Sequence, residues 1–293
     1  MMGKIKEIFT SVPLGMNLRN YAIQVFNPRE SMLLAKDKLA TKKLLVENDI
    51  PTPATYSILE KHSDLKLIAR FPSEVVLKPN HGHGGNGILV LERKSGGYFD
   101  PAGESHSIRN IEKHILKILD GEFSGFMEKD TAIVEERLYP SSKIIFKYAA
   151  GLPDIRIFCI NHIPVMAMLR YATKETNGRA NLSMGAIGIA IDVGTGVFTH
   201  LHKKKEGADI TLDDLGIPAG FIMPKWKEMK DVAIKASRFS GLSVAGIDLI
   251  LDRKDRVMVL EINGRPGIEI QNINEKSLLN MFEQLDVESE KKK

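Results

Sequence analysis

The segment Asp154 to Arg170, DIRIFCINHIPVMAMLR, sets two largely apolar runs on either side of NHIP, with Asp154 and Arg156 alternating with isoleucines at its start. That pattern predicts two antiparallel strands joined by a tight turn. AIGIAIDVGTGVFTHLH reads as a second strand pair around DVGTG, and AGIDLILD with RVMVLEIN as a third around the polar turn RKD. Upstream, Glu74 to Lys78 and Gly87 to Leu91 are β-rich runs flanking a glycine-rich stretch, and AIVEERLYP adds another strand. Four segments change the period to that of a helix. KDKLATKKLLVE, Lys36 to Glu47, spaces Leu39, Ala40, Leu44 and Leu45 helically, and the prolines of NDIPTPATY end it. NIEKHILKILDG gathers Ile111, Ile115, Ile118 and Leu119 on one side, with Gly121 as a C-cap. WKEMKDVAIKASRFSG directs Met229, Val232, Ala233, Ala236 and Phe239 inward, and EKSLLNMFEQL closes the chain. The expected class is α+β, with largely antiparallel sheets.

Charge interrupts this pattern at a few places, and those places carry the candidate chemistry. In GIDLILDRKDRVMVLEING, alternation puts Glu261 and Asn263 on one strand face, with Asp248 in the preceding strand of the hairpin. A carboxylate inside a half-buried strand costs free energy unless something compensates it. Carboxylates plus an amide carbonyl suit a hard divalent cation that shares its ligands with phosphate oxygens. The same acids could instead be bonded to arginines. In EVVLKPNHGHGGNGILVLER, Lys78 ends a strand and precedes HGHGGNG, whose glycines let backbone amides approach an anion closely. The order excludes a P-loop, which needs its lysine after the last glycine. Read by itself the stretch is equally an ordinary hairpin turn, with His81 and His83 either facing solvent or ligating a metal. Lys38, Lys78, Arg156, Arg170, Arg179 and Arg265 lie in or beside apolar segments, where arginine suits bidentate binding of phosphate or carboxylate. Each could also be a structural ion pair.

Composition narrows the field. The chain has 293 residues, 43% of them hydrophobic and 27% charged, which is enough for one large domain or two modest ones. The formal charge of +4 is mild and includes a terminal KKK. No basic stripe with interleaved aromatics is present, which argues against a nucleic-acid partner. A lone cysteine, Cys159, sits in an apolar run and allows no disulfide within the chain, as expected of a reducing cytoplasm. Neither a signal-peptide core nor a membrane-spanning apolar run is seen, so the expected location is cytoplasmic.

Taken in order, seven stretches resemble the ATP-grasp superfamily, in particular its α-L-glutamate ligase branch that modifies ribosomal protein tails. They are KDKLATKKLLVENDIPTP, VVLKPNHGHGGNGI, IVEERL, DIRIFCINHIPVMAMLR, GRANLSMGA, AGIDLI and VLEINGRPGIE, spanning Lys36 to Glu269. The resemblance implies two α/β lobes with antiparallel sheets holding ATP, and Mg2+ or Mn2+ as the metal. It implies phosphate contacts from Lys38 and Lys78, and a closing loop containing Gly82, Gly84, Gly85 and Gly87. The backbone of Glu136, Arg137 and Leu138 would bond the adenine edge, and Asp154 would face the ribose. Arg179, Ala180 and Asn181 match a motif that faces the phosphates, Asp248, Glu261 and Asn263 match the metal ligands, and Arg265 lies near the transferred phosphoryl group. Catalytic roles fall to Lys78, Arg179 and Arg265.

The implied reaction is carboxylate–amine ligation through an acyl phosphate, with a peptide, protein tail or envelope precursor as acceptor. Phosphorylation of a sugar-linked or small-metabolite acceptor, and nucleotide binding without turnover, are the alternatives. The expected organisation is a short N-terminal segment at 1–37, an N-terminal lobe at 38–140, a C-terminal lobe at 141–285 and a charged tail at 286–293. The α/β domain that usually precedes the first lysine is expected to be truncated, which makes a homodimer or a protein partner an expectation. YPSSKIIFKYAAGLP, Tyr139 to Pro153, lengthens the spacing between EERL and DIR as either an acceptor-binding insert or a surface excursion.

Overall fold

The structure is a computed structural model that describes residues 15–125, 129–172, 180, 182, 185–203 and 210–279. It divides into two compact units, a larger one of Met1–Lys36, Lys43–Pro51 and Pro140–Lys293 and a smaller one of Asp37–Lys42 and Thr52–Tyr139. Each is built on a six-stranded sheet whose named pairs are all antiparallel. No described helix is long and apolar enough to cross a membrane.

The smaller unit's strands are β1 (Thr55–Leu59), β2 (Glu74–Pro79), β3 (Leu89–Lys94), β4 (Gly97–Phe99), β5 (Ser105–His106) and β6 (Ala132–Glu136), in the order β1-β6-β2-β3-β4-β5. Their period-two pattern sorts the side chains cleanly. Val75, Leu77, Leu91, Ala132 and Val134 join Ile111, Ile115, Ile118 and Leu119 of a covering helix (Ile108–Leu119) in one core. Ser107 caps that helix by accepting from the Asn110 amide at 3.2 Å, and Gly121 follows it at φ 76°. The opposite sheet face carries Lys78, Val76, Ile133 and Glu135.

In the larger unit the strands are β7 (Asp154–Ile160), β8 (Ile163–Tyr171), β9 (Ile187–Ile191), β10 (Phe198–Lys203), β11 (Val244–Leu251) and β12 (Val257–Asn263), in the order β10-β9-β8-β7-β11-β12. The β7–β8 turn is Asn161-His162, both at positive φ (47° and 65°), the geometry a two-residue hairpin needs. One sheet face packs on the helix Trp226–Ser240 through Trp226, Met229, Ala233 and Ala236. Phe239, expected inward, is 45% exposed, because the buried stripe continues through Ser237 and Ser240. Two helices unforeseen in the sequence, α1 (Met16–Phe26) and α2 (Arg29–Lys36), precede the helix that begins at Lys38. Ala22 and Ile23 of α1 pack on the other face of this sheet with Phe158, Met166 and Met168. Asn27 then ties α1 to β11: its amide donates to the Val244 carbonyl at 2.9 Å and accepts from the Val244 amide at 2.8 Å. The Tyr139–Pro153 stretch is anchored in the core, although Ile145 and Tyr148 are exposed. Ile144 is fully buried in the core, and Phe146 stacks among Tyr171, Phe198 and Phe221. Most of the expected closing helix lies outside the described residues.

One irregularity decides where the larger unit's acids point. On β12, Val257 and Val259 face the core, and strict alternation would send Glu261 after them. The register with β11 slips at that point: Leu249 opposes Val259, but Asp248 opposes Glu261. Leu260 is the extra residue of a β-bulge, so Ile262 takes the core position while Glu261 and Asn263 turn to the opposite face. Deleting Leu260 removes the extra residue, so plain alternation after Val259 should keep Ile262 in the core and Glu261 and Asn263 on the opposite face. The expected loss stays below about 3 kcal/mol, the cost that an uncompensated buried charge would bring, measured by denaturant unfolding. A loss of that size or more would show that Leu260 is not the extra residue.

Candidate active site

In the smaller unit the charged face centres on three side chains. Lys78 donates to Glu135 Oε1 at 2.6 Å, and Lys42 donates to Glu135 Oε2 at 2.8 Å and to the Pro53 carbonyl at 2.6 Å. All three are buried, each less than 10% exposed. The strand register explains the first contact, since Val76 opposes Glu135 and Lys78 lies two residues along on the same face. Burial alone would favour the neutral carboxyl, but Lys78 and Lys42 outweigh it and hold Glu135 below the usual carboxylate range. Burial pulls the Lys42 ammonium below its ordinary value, against the attraction of Glu135.

The glycine loop leaves the end of β2 from a fixed base. Asp37 caps the Lys38 helix by accepting from the Ala40 amide at 2.9 Å, and it also accepts from the Asn80 side chain at 3.0 Å. Asn80 in turn accepts from the Leu39 amide at 2.8 Å. Lys38 donates to the backbone carbonyls of Asn80 and Gly82. Buried Asp130 accepts from the His81 amide and meets His81 Nδ1 at 2.8 Å, so His81 is a loop anchor and its Nδ1 is engaged. Gly82 bridges to Ser124. At the far end, Gly87 lies at φ 75°, and a Cβ there would stand 2.6 Å from the Phe123 ring. Gly84 and Gly85, also at positive φ, have open space around them. Both ends of the loop are pinned and its tip is unobstructed.

Glu136 ends β6, opposite Val75, and Arg137 and Leu138 lead out of the sheet. Arg137 pairs with Glu92 at 3.2 Å and lies over the Tyr139 ring at 4.6 Å, while Tyr139 donates to Glu74. Burial and the Glu74 contact push the Tyr139 hydroxyl up to about 12.

In the larger unit a ladder of charge crosses the sheet face opposite the Trp226 helix. Arg156 forks onto Asp248, Nε to Oδ1 and Nη2 to Oδ2, both at 2.7 Å. Arg170 bridges the acids, donating to Asp154 Oδ1 at 2.6 Å and Asp248 Oδ2 at 2.7 Å. Asn263 Nδ2 donates to Asp248 Oδ2 at 3.0 Å, and Glu261 stands directly opposite Asp248 in the register. Burial works against the Asp248 charge, but Arg156 and Arg170 prevail and hold its carboxyl below the ordinary value. Asp154 has fewer cationic partners, and burial pushes it up to about 6. Arg265 is exposed, and the backbone beside it is held from α1 by Arg19, which donates to the Pro266 carbonyl at 3.0 Å.

The structure therefore brings Asp248, Glu261 and Asn263 together with Asp154, and brings Lys38 and Lys78 to the base of the glycine loop. Ala180 is described, but Arg179 and Asn181 lie outside the described residues. The donor chemistry of Asp248, Glu261 and Asn263 suits a hard cation, although Asp248 already accepts four hydrogen bonds from nitrogen. Lys42 and Glu135 were missed in the sequence. Glu135 carries the signal that marked Asp248, a carboxylate inside the apolar run AIVEE, and Lys42 lies one helical turn beyond Lys38.

Comparison with known proteins decides what this arrangement belongs to. Residues 17–287 match the family described as "Sugar-transfer associated ATP-grasp". The chain belongs to that ATP-grasp family. Within the superfamily it is 26% identical over 244 residues to a "Probable alpha-L-glutamate ligase" of Xanthomonas oryzae pv. oryzae (strain MAFF 311018), covering 83% of this chain and 61% of the relative. A protein of the same name from Xylella fastidiosa (strain M12) is 22% identical over 268 residues, covering 87% of this chain and 68% of the relative. The chain thus spans a little over 60% of the length of the first of these curated relatives. Among solved structures, the ATP-grasp ligase PsnB complexed with minimal precursor is similar at TM-score 0.48 and 14% identity, covering 89% of this chain and 63% of that one.

The shared carboxylate gives a pH signature. A carboxyl held low in the folded state stabilises it above the unfolded-state pKa, and that stabilisation fades as pH falls toward the folded value. For Glu135 the loss begins as pH drops through 4.5, its ordinary value, and continues below it. Glu135→Gln should lower stability at pH 7 and flatten this part of the acid limb in denaturant unfolding. Parallel acid limbs in the two proteins would contradict the assignment.

Proposed function

We propose that this ATP-grasp protein is an ATP-dependent carboxylate–amine ligase. The observation that carries the reading is Lys78, presented by a strand on a buried carboxylate at the base of a glycine loop pinned at both ends. Lys78 and the tip amides of Gly84 and Gly85 would bind the nucleotide phosphates, with Lys38 fixing the loop base. The backbone of Glu136 to Leu138 would bond the adenine edge and Asp154 would face the ribose. Asp248, Glu261 and Asn263 would hold Mg2+, which supplies charge neutralisation at the transferred phosphoryl group when bound. Arg265, and Arg179 with Asn181, would face the same phosphates.

A substrate carboxylate oxygen attacks the γ-phosphorus while the bond to the β,γ-bridging oxygen breaks, releasing ADP. An amine nitrogen then attacks the acyl carbon, its C–O bond to phosphate breaks, and a proton leaves the nitrogen, giving an amide and inorganic phosphate. The protein contributes positioning and fixed positive charge rather than a covalent nucleophile. Closure of the loop tip would keep water from the acyl phosphate. The relatives named as probable α-L-glutamate ligases support an amino acid as one substrate, and the resemblance of the sequence motifs to ligases of ribosomal protein tails points to a peptide or protein tail as the other. The family description, associated with sugar transfer, favours a second reading in which a sugar-linked group is the acceptor. A cytoplasmic location fits either reading.

Saturating ATP with Mg2+ should raise the melting temperature by several degrees, as ligand binding to the folded state requires. Lys78→Ala should abolish that shift. A wild-type protein whose melting is indifferent to nucleotide would overturn the reading.

A further inference from the structure

Lys42 occupies a position on the inner side of its helix where an apolar residue would be expected, and its burial has a cost. The arrangement around it suggests what that cost secures. Glu135 is a single carboxylate serving two ammonium groups, Lys78 on Oε1 and Lys42 on Oε2. Among the described residues Glu135 is the one hydrogen-bonding partner of Lys78, whereas Lys42 is tethered a second time, to the Pro53 carbonyl. If Glu135 and Lys78 were alone, an anion drawing Lys78 away would leave a buried carboxylate uncompensated, a strongly unfavourable state. With Lys42 in place the carboxylate keeps a cation whichever way Lys78 moves. The side chain of Lys42 is 9% exposed and fixed at both bonds, so it acts on Glu135 and not on a ligand directly.

We propose that Lys42 is a positioning residue: it keeps Glu135 neutralised so that Lys78 can leave it and engage the phosphates of the nucleotide. The proposal rests on the ATP reading above. It makes Glu135 the resting partner of Lys78 and Lys42 the group that lowers the cost of exchange. A purely structural Lys42 would stabilise the unit without affecting how tightly the folded protein holds phosphate.

Calorimetric titration with AMPPNP and Mg2+ tests this on the full chain. Lys42→Met should weaken binding by at least about tenfold, because Glu135 then has only Lys78. Lys42→Arg, which preserves the charge, should stay within about threefold of wild type. The double variant Lys42→Met/Glu135→Gln should also return to within about threefold, since no carboxylate is left to hold Lys78. Wild-type affinity in Lys42→Met would overturn the role, and so would a double variant as weak as the single one. Should Lys42→Met not fold, wild type, Lys42→Arg and the double variant carry the test, and a tenfold-weaker double variant overturns the proposal. A wild type that binds no nucleotide removes the ATP reading and this role together, whereas binding by wild type with no effect of Lys42→Met removes Lys42 alone.

Discussion

A buried charge must have a partner, and both sheets meet that constraint on the face that carries their candidate chemistry. In the smaller unit one carboxylate, Glu135, holds two lysines. In the larger unit two arginines and an asparagine converge on Asp248, and one of the arginines extends the network to Asp154. The strands around these groups are otherwise apolar and packed. The polar clusters are therefore held in place by their partners, as a site that works by positioning and fixed charge requires.

The secondary structure carries this constraint into the fold. Cross-strand register places Val76 opposite Glu135, Arg156 opposite Asp248 and Asp248 opposite Glu261, so each contact follows from pairing and not from a long side chain reaching across a gap. The bulge at Leu260 is the one departure from regular pairing on β12, and it turns Glu261 away from the core. The glycine loop shows the complementary arrangement. Its base is tied by Asn80, Asp37, Lys38 and Asp130, while Gly84 and Gly85 at its tip have free space for a ligand or for movement.

Much of this was legible in the residues. Apolar runs broken by the short turns NHIP and RKD located the β7–β8 and β11–β12 hairpins, and the intrusion of Asp248 and Glu261 into apolar runs marked them as compensated groups. The choice between arginine partners and a metal was not legible, because it depends on Arg156 and Arg170 arriving from neighbouring strands. Nor was the Lys42–Glu135 contact, which joins residues 93 positions apart. Helices α1 and α2 escaped notice because α1 exposes Leu18, Tyr21 and Val25 and so has no clean apolar stripe. Phe239 misled for the opposite reason: its size suggested the core, yet the inner positions of its helix are taken by Ser237 and Ser240.

On the function proposed above, fixed cations and a carboxylate-anchored lysine would serve the transfer of a phosphoryl group to a carboxylate. Hydroxylamine trapping tests it most directly. Incubation with ATP, Mg2+, hydroxylamine and a panel of amino-acid and peptide carboxylates should release ADP and yield a hydroxamate of one of them. Release of ADP with a phosphorylated hydroxyl group and no hydroxamate would contradict it.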